Sequence, residues 1–203
     1  MESDTKASSG FADIVEKCFI KLIKMNSTYV TPVINSILNV MRTMAQLEVE
    51  PGKYMIRTNQ KAMGDISSII DLEGPGGKGS VSVSFPEHVI KQIADVMMPP
   101  GTPRDIAMLK DLTGELANMF AGGAKAELEK KQLKMNISLP RIYAGDNHIL
   151  KFAVNAKIVM VPYSTPFGPF FIDVCVAGKN AKLSPVKKKK PIIISSNDNI
   201  RNI

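Results

Sequence analysis

The chain of 203 residues contains the same series of elements twice, a helix followed by three extended segments. The first series spans about 32–86 and the second about 105–177. Apolar residues recur with helical spacing in the leading segment of each series, and alternate with polar residues in later segments. We therefore predict an α/β (α+β) fold in which two pseudo-symmetric α-β-β-β halves share a largely antiparallel sheet, with the helices packed on it.

Residues that favour caps and turns predict where several of these elements begin and end. Thr31 is a natural N-cap and Pro32 suits a first helical position, so we expect the first helix to start there. The glycine-rich segment 74–79 predicts a turn, and SVSVSF at 80–85 predicts a half-buried strand. A long helix is predicted from about Asp105 to Lys131.

The formal charge of +7 lies mainly near one end of the chain. Residues 179–203 carry a net charge of +6 and residues 1–25 carry none, which leaves about +1 for 26–178. We predict a disordered basic tail at 179–203, an N-terminal extension with a possible extra helix at 1–25, and one domain between them. The domain lacks the basic face that nucleic-acid binding requires.

No apolar stretch is long enough to span a membrane and no secretory signal is evident, so we expect a cytoplasmic protein without integral membrane association.

One polar stripe in the long helix is a candidate site. At about 100° per residue, Asp111, Glu115, Asn118 and Gly122 fall within about 60° of arc, away from the leucines that would face the sheet. On spacing alone, a solvated helix face explains this stripe better than a site does. The only histidines, His88 and His148, are far apart and have no second ligand at helical spacing, so no metal site is predicted.

The stripe resembles the signature of the CheC/CheX/FliY family of chemotaxis phosphatases. That signature places Asp or Ser, then Glu, then Asn on a helix, and a proline about 22 residues later. Asp111, Glu115 and Asn118 match it, and Pro140 follows Asn118 after 21 intervening residues. Further segments that resemble CheX occur in order over 26–177, among them MGDISSIIDLEG, GSVSVSF, LP and GPFFIDVCV. Members of the CheX type keep one active site, and 32–46 has no Glu-x2-Asn.

The resemblance implies a phosphatase domain at 26–178 that removes the aspartyl phosphate of a phosphorylated CheY-type response regulator. Asn118 would position the attacking water, and Glu115 would pair with the regulator's active-site lysine. The regulator would supply magnesium, so the phosphatase would need no cofactor of its own. The resemblance also implies a homodimer. We further infer that Asp111 and Gly122 contact the partner and that Pro140 is a structural residue of the motif.

Two other functions are consistent with the sequence. Related folds in the flagellar switch bind partners without hydrolysis, so a non-catalytic binding module for a response regulator is the first alternative. A pure binding module would not need the pair Glu115 and Asn118. The second alternative is an interaction protein in which residues 179–203 alone carry the activity.

Overall fold

The computed structural model describes residues 28–75 and 77–177, which contain three helices and eight strands. Helix α1 covers 28–44, α2 covers Glu87–Met97 and α3 covers Ile106–Lys130. The predicted start of α1 is wrong, because the chain is already helical at residue 28 and Pro32 lies inside the helix. Pro32 is buried, and packing of this apolar face outweighs the one backbone hydrogen bond that a proline cannot donate.

The strands are short at the sheet edges and long at its centre. In chain order they are β1 (Glu50–Pro51), β2 (Met55–Arg57), β3 (Ile66–Gly74), β4 (Gly77–Phe85), β5 (Asn136–Ile137), β6 (Arg141–Ala144), β7 (Ile158–Thr165) and β8 (Gly168–Ala177). Within the described residues they form one antiparallel sheet of order β1-β7-β8-β4-β3-β5, with β2 also on β7 and β6 also on β3. The predicted fold class is confirmed.

The two halves are interlocked across this sheet. The hairpin β3–β4 closes on the pair Gly74–Gly77, and the hairpin β7–β8 closes in the same way on Thr165–Gly168. The hairpins meet at the centre through β4 and β8. The short strands of each half pair with the hairpin of the other half. Strands β1 and β2 pair with β7, whereas β5 and β6 pair with β3.

The main core lies between the helices and one face of the sheet. Buried residues of all three helices cluster with alternate residues of the four central strands, including Ile70, Val83, Val161 and Ile172. This packing follows from the two periodicities, since every second strand residue and every third or fourth helix residue faces the same layer. Burial of so many aliphatic side chains anchors α3 firmly on the sheet.

The opposite face of the sheet is also buried, but it is largely polar. The strand predicted at 80–85 is present within β4, but Ser80, Ser82 and Ser84 are each at most 1% exposed, so its predicted half-burial is wrong. Irregular segments near residues 62 and 150–156 cover this face and form a second, smaller apolar cluster with it. The serine hydroxyls are satisfied internally; Ser80 donates to Asp71 at 2.7 Å and accepts from the backbone N–H of Ala153 at 2.8 Å.

The predicted extension at 1–25 and the lysine-rich tail at 179–203 lie outside the described residues. In the part of the chain that is described, no helix is both long and apolar enough to cross a membrane.

Candidate functional site

Helix α3 carries most of the predicted site residues and is fixed at its start and along one face. The side chain of Asp105 caps it by accepting a hydrogen bond from the backbone N–H of Met108 at 2.9 Å. Its buried residues are Leu109, Leu112, Thr113, Gly114, Leu116, Ala117, Phe120, Ala121, Ala124 and Leu128. The helix therefore presents its remaining face from a rigid position.

The predicted stripe lies on that remaining face. Asp111 and Glu115 are exposed, whereas Asn118 and Gly122 are half-buried. The side chains of Asp111, Glu115 and Asn118 have no hydrogen-bond or ion-pair partner among the described residues. Two carboxylates four residues apart repel each other at a cost of roughly 0.2–0.5 kcal/mol. No side chain of the described fold relieves this repulsion, and all three groups are open to an external partner.

One flank of the stripe is formed by the edge of the sheet at β6. A Cβ placed on Gly114 would lie 3.0 Å from Ile142 Cδ1 and 4.0 Å from Pro140 Cγ. The absence of a side chain at Gly114 thus lets α3 approach this edge closely. On a helical projection Asn118 lies about 40° from Gly114, one turn later. The structure therefore places Pro140 beside α3, next to the stripe.

The other flank of the stripe faces α1, and there the close approach occurs at Gly123. A Cβ on Gly123 would overlap the Ser36 side chain and lie 3.0 Å from its Cβ, whereas a Cβ on Gly122 would meet nothing within 4 Å. Ser36 also donates a hydrogen bond to the carbonyl of Met119 at 3.5 Å. Two adjacent glycines cannot be assigned to different partners from sequence, because that depends on where α1 crosses.

The arrangement supports positioning chemistry rather than nucleophilic attack by the protein. An exposed carboxylate can bind a cation, and an amide one turn away can both donate and accept hydrogen bonds. Within the described residues, no group of three or more His, Cys, Asp or Glu side chains is placed to hold a metal ion.

A serine and a histidine do meet elsewhere in the fold, but the serine cannot reach a substrate. His148 Nε2 lies 2.8 Å from Ser67 Oγ, and its Nδ1 lies 2.7 Å from the carbonyl of Gly145. Ser67 is 0% exposed and also donates to Ser84 at 2.7 Å. These contacts fasten the loop before β7 to the sheet, which is a structural role.

Comparison with known proteins identifies relatives of this fold and sequence. The family model described as chemotaxis phosphatase CheX matches residues 66–164, which include the whole stripe and Pro140. A chemotactic CheC-like protein from Shewanella oneidensis MR-1 is 36% identical with a TM-score of 0.67; the match covers 75% of this chain and 99% of that protein. No curated protein sequence matches significantly.

Two further structures carry the name CheX. The chemotaxis protein CheX from Vibrio vulnificus is 32% identical with a TM-score of 0.64, over 73% of this chain and 99% of that one. CheX from Borrelia burgdorferi, in a complex with CheY, BeF3 and Mg²⁺, is 21% identical with a TM-score of 0.58, over 73% and 97% of the two chains, and shares the fold. On these matches, which span almost the full length of relatives more than 30% identical, the chain belongs to the CheX family of chemotaxis proteins.

Proposed function

We propose that this protein hydrolyses the aspartyl phosphate of a CheY-type response regulator. The observation that carries the proposal is the presentation of Glu115 and Asn118, without internal partners, on the outward face of a helix anchored in the core. The description of the matching family as a chemotaxis phosphatase supports the reaction. The complex of the Borrelia protein with CheY supports the class of partner.

The reaction needs a positioned water and little else from this protein. A water oxygen attacks phosphorus, the bond between phosphorus and the aspartate oxygen breaks, and the aspartate leaves as a carboxylate while the protons of the water stay on the released phosphate. Because an ordinary aspartate carboxyl group has a pKa of about 3.9, a carboxylate is a good leaving group and its departure needs no general acid. The Asn118 carboxamide orients the water for in-line attack, which is catalysis by positioning.

Glu115 gives the docked complex its register. Its carboxylate pairs with the regulator's active-site lysine, and Asn118 follows three residues later on the same rigid helix, so the two groups enter the regulator's site together. Magnesium bound by the regulator neutralises charge on the phosphoryl oxygens, and this protein contributes no metal ligand. Asp111 and Gly122 lie on the same stripe and contact the partner.

Phosphate release from a phosphorylated CheY-type regulator tests the proposal. We expect Asn118→Ala to lower the rate constant of the bound complex by about 10²-fold or more with binding retained, because the water is no longer oriented. Glu115→Ala should weaken binding as well as slow turnover. Glu129→Ala is a matched control: it removes an exposed acid from the same helix, about 16 Å beyond Asn118 at 1.5 Å per residue.

The same assay separates the alternatives. A wild-type protein that binds the phosphorylated regulator without hydrolysing it would be a binding module. An unchanged rate for Asn118→Ala would refute the assignment of the water. A chain truncated after Gly178 should keep its phosphatase activity, whereas loss of activity on truncation would support a functional tail.

The proposal includes the setting in which the enzyme acts. We infer a cytoplasmic homodimer, in keeping with the family that the chain resembles. Light scattering of the purified protein measures its mass in solution, and a monomeric mass would contradict the dimer.

A further inference from the structure

The most exposed large apolar side chain of the described fold directly precedes Pro140, a residue beside the candidate site. Leu139 is 86% exposed, whereas each of the other large apolar residues in the described part of the chain is at most 53% exposed. Such exposure forgoes most of the stabilisation that burial of a leucine provides. A single exposed leucine is ordinary on a mobile loop, so its setting decides what it means.

The backbone around Leu139 is held on both sides. Ser138 donates its backbone N–H to the carbonyl of Asp71 at 2.9 Å, and its hydroxyl accepts from the N–H of Asp71 at 3.0 Å. The same hydroxyl donates to the carbonyl of Leu139 at 2.9 Å. Arg141 forms an ion pair with Asp71. Leu139 is thus fixed in an exposed position by its neighbours.

Leu139 directly precedes Pro140, which packs against α3 beside the stripe. Pro140, its immediate neighbour, approaches α3 at Gly114, which directly precedes Glu115. The side of α3 that faces Pro140 is about 40° from Asn118 on a helical projection. A partner that covers Glu115 and Asn118 and reaches past Pro140 would meet Leu139.

We propose that Leu139 is the apolar anchor that docks the phosphorylated response regulator against α3. This inference rests on the proposed function. It assigns the regulator a small apolar depression beside its active-site lysine, into which the leucine inserts. Charged groups such as Glu115 set register and encounter rate more than affinity, so a pre-organised apolar side chain that the partner covers completely supplies the affinity that they lack. Leu139 is a positioning residue for the partner and takes no part in the chemistry.

Binding and steady-state kinetics of Leu139→Ser test the proposal. The binding probe is a CheY-type receiver domain activated with BeF3⁻ and Mg²⁺, and the kinetic substrate is the same domain phosphorylated. We expect Kd and KM to rise about tenfold, as for loss of one well-packed anchor, while kcat stays within about twofold because Glu115 and Asn118 are untouched. Leu139→Met, which keeps the apolar surface, should restore both constants to near the wild-type values.

The matched control is Met55→Ser, which removes a half-exposed apolar side chain from β2, at the opposite edge of the sheet. It should leave Kd and KM unchanged. Equal constants for wild type and Leu139→Ser would overturn the anchor and leave the proposed function standing. A fall in molecular mass of Leu139→Ser would instead assign the leucine to a contact between two copies, and would also overturn the anchor. If wild type neither binds the receiver nor releases phosphate, the proposed function fails, and the anchor falls with it.

Discussion

At the scale of single residues, Gly122 and Gly123 show how neighbours on one helix can serve different purposes. Glycine inside a helix costs about 1 kcal/mol relative to alanine. At Gly123 this cost is offset by close packing of α1, whose Ser36 occupies the space a side chain would fill. A Cβ on Gly122 would meet nothing in the described fold within 4 Å, so internal packing does not offset the cost of this glycine. A partner that approaches the helix at Gly122 would account for it.

The two glycines therefore predict opposite effects of the same substitution. Gly122→Ala should raise the free energy of unfolding by up to about 1 kcal/mol, through helix propensity alone. Gly123→Ala should lower the free energy of unfolding by up to about 2 kcal/mol, because the new methyl group forces Ser36 and α1 outward at a cost of about 1–3 kcal/mol and the gain in helix propensity offsets about 1 kcal/mol of it. Urea denaturation followed by circular dichroism measures both.

Binding of the activated regulator gives Gly122 a second test. If the partner approaches here as proposed, Gly122→Ala should weaken binding although it stabilises the fold. A gain in stability with unchanged affinity would remove Gly122 from the interface.

At the scale of elements, the local pattern of each helix and strand could be predicted from the sequence. Which segments far along the chain cover each element could not. The faces of α3 follow from spacing within one segment, so Leu109 and Leu116 were correctly expected to pack and Asp111 and Glu115 to face outward. The serines of β4 have the alternation of a half-exposed strand, yet the backbone of Ala153, far along the chain, covers Ser80. The exposure of Leu139 likewise depends on contacts of Ser138 with a strand about 67 residues earlier.

The polar face of the sheet also holds a buried ion pair whose disruption should be costly. Arg57 donates to Asp173 from Nε at 3.1 Å and forms an ion pair with it, and Ser82 donates to the same carboxylate at 3.2 Å. Asp173 is 0% exposed. Arg57→Met should lower the free energy of unfolding at neutral pH by about 3–5 kcal/mol, because a buried charge loses its partner. Arg141→Met is a milder control, since the side chain of Arg141 is 40% exposed against 10% for Arg57.

The loss should depend on pH in a definite direction. Burial raises the pKa of Asp173, and Arg57 and Ser82 offset part of that rise. An acid with a raised pKa in the fold favours folding at low pH, and this contribution disappears as the pH rises through its folded pKa. Without Arg57 the pKa of Asp173 in the folded protein rises further. The difference in free energy of unfolding between wild type and Arg57→Met should therefore become smaller as the pH falls from 7.5 to 5. Urea denaturation at both values measures it. A deficit independent of pH, or one not reduced by adding Asp173→Asn, would show that the charge is not responsible.

At the scale of the whole molecule, the interlocking of the halves makes each depend on the other. The repeat of helix and strands is visible in the sequence, because each half repeats a local order of periodicities. The exchange of edge strands is not, since β1 and β2 could pair with their own hairpin as easily as with β7. In the structure β1 and β2 of the first half pair with β7 of the second half, and β5 and β6 of the second half pair with β3 of the first half.

This exchange predicts that the protein can be divided between its halves but that neither fragment folds alone. Gly101 lies in the exposed connection between α2 and α3, where a break removes no element. Fragments 1–101 and 102–203 should each lack the cooperative unfolding of the full chain. In each fragment the short edge strands lose the strand with which they pair, and one strand of the central hairpin loses its neighbour from the other half. Mixed in equal amounts, they should recover cooperative unfolding and the proposed phosphatase activity, since the candidate site lies in the second fragment and the sheet that supports it comes from both. Circular dichroism in urea and phosphate release follow the two properties. A fragment 102–203 that folds and acts by itself would show that the exchanged strands contribute little, and that a single half suffices to hold α3 in place.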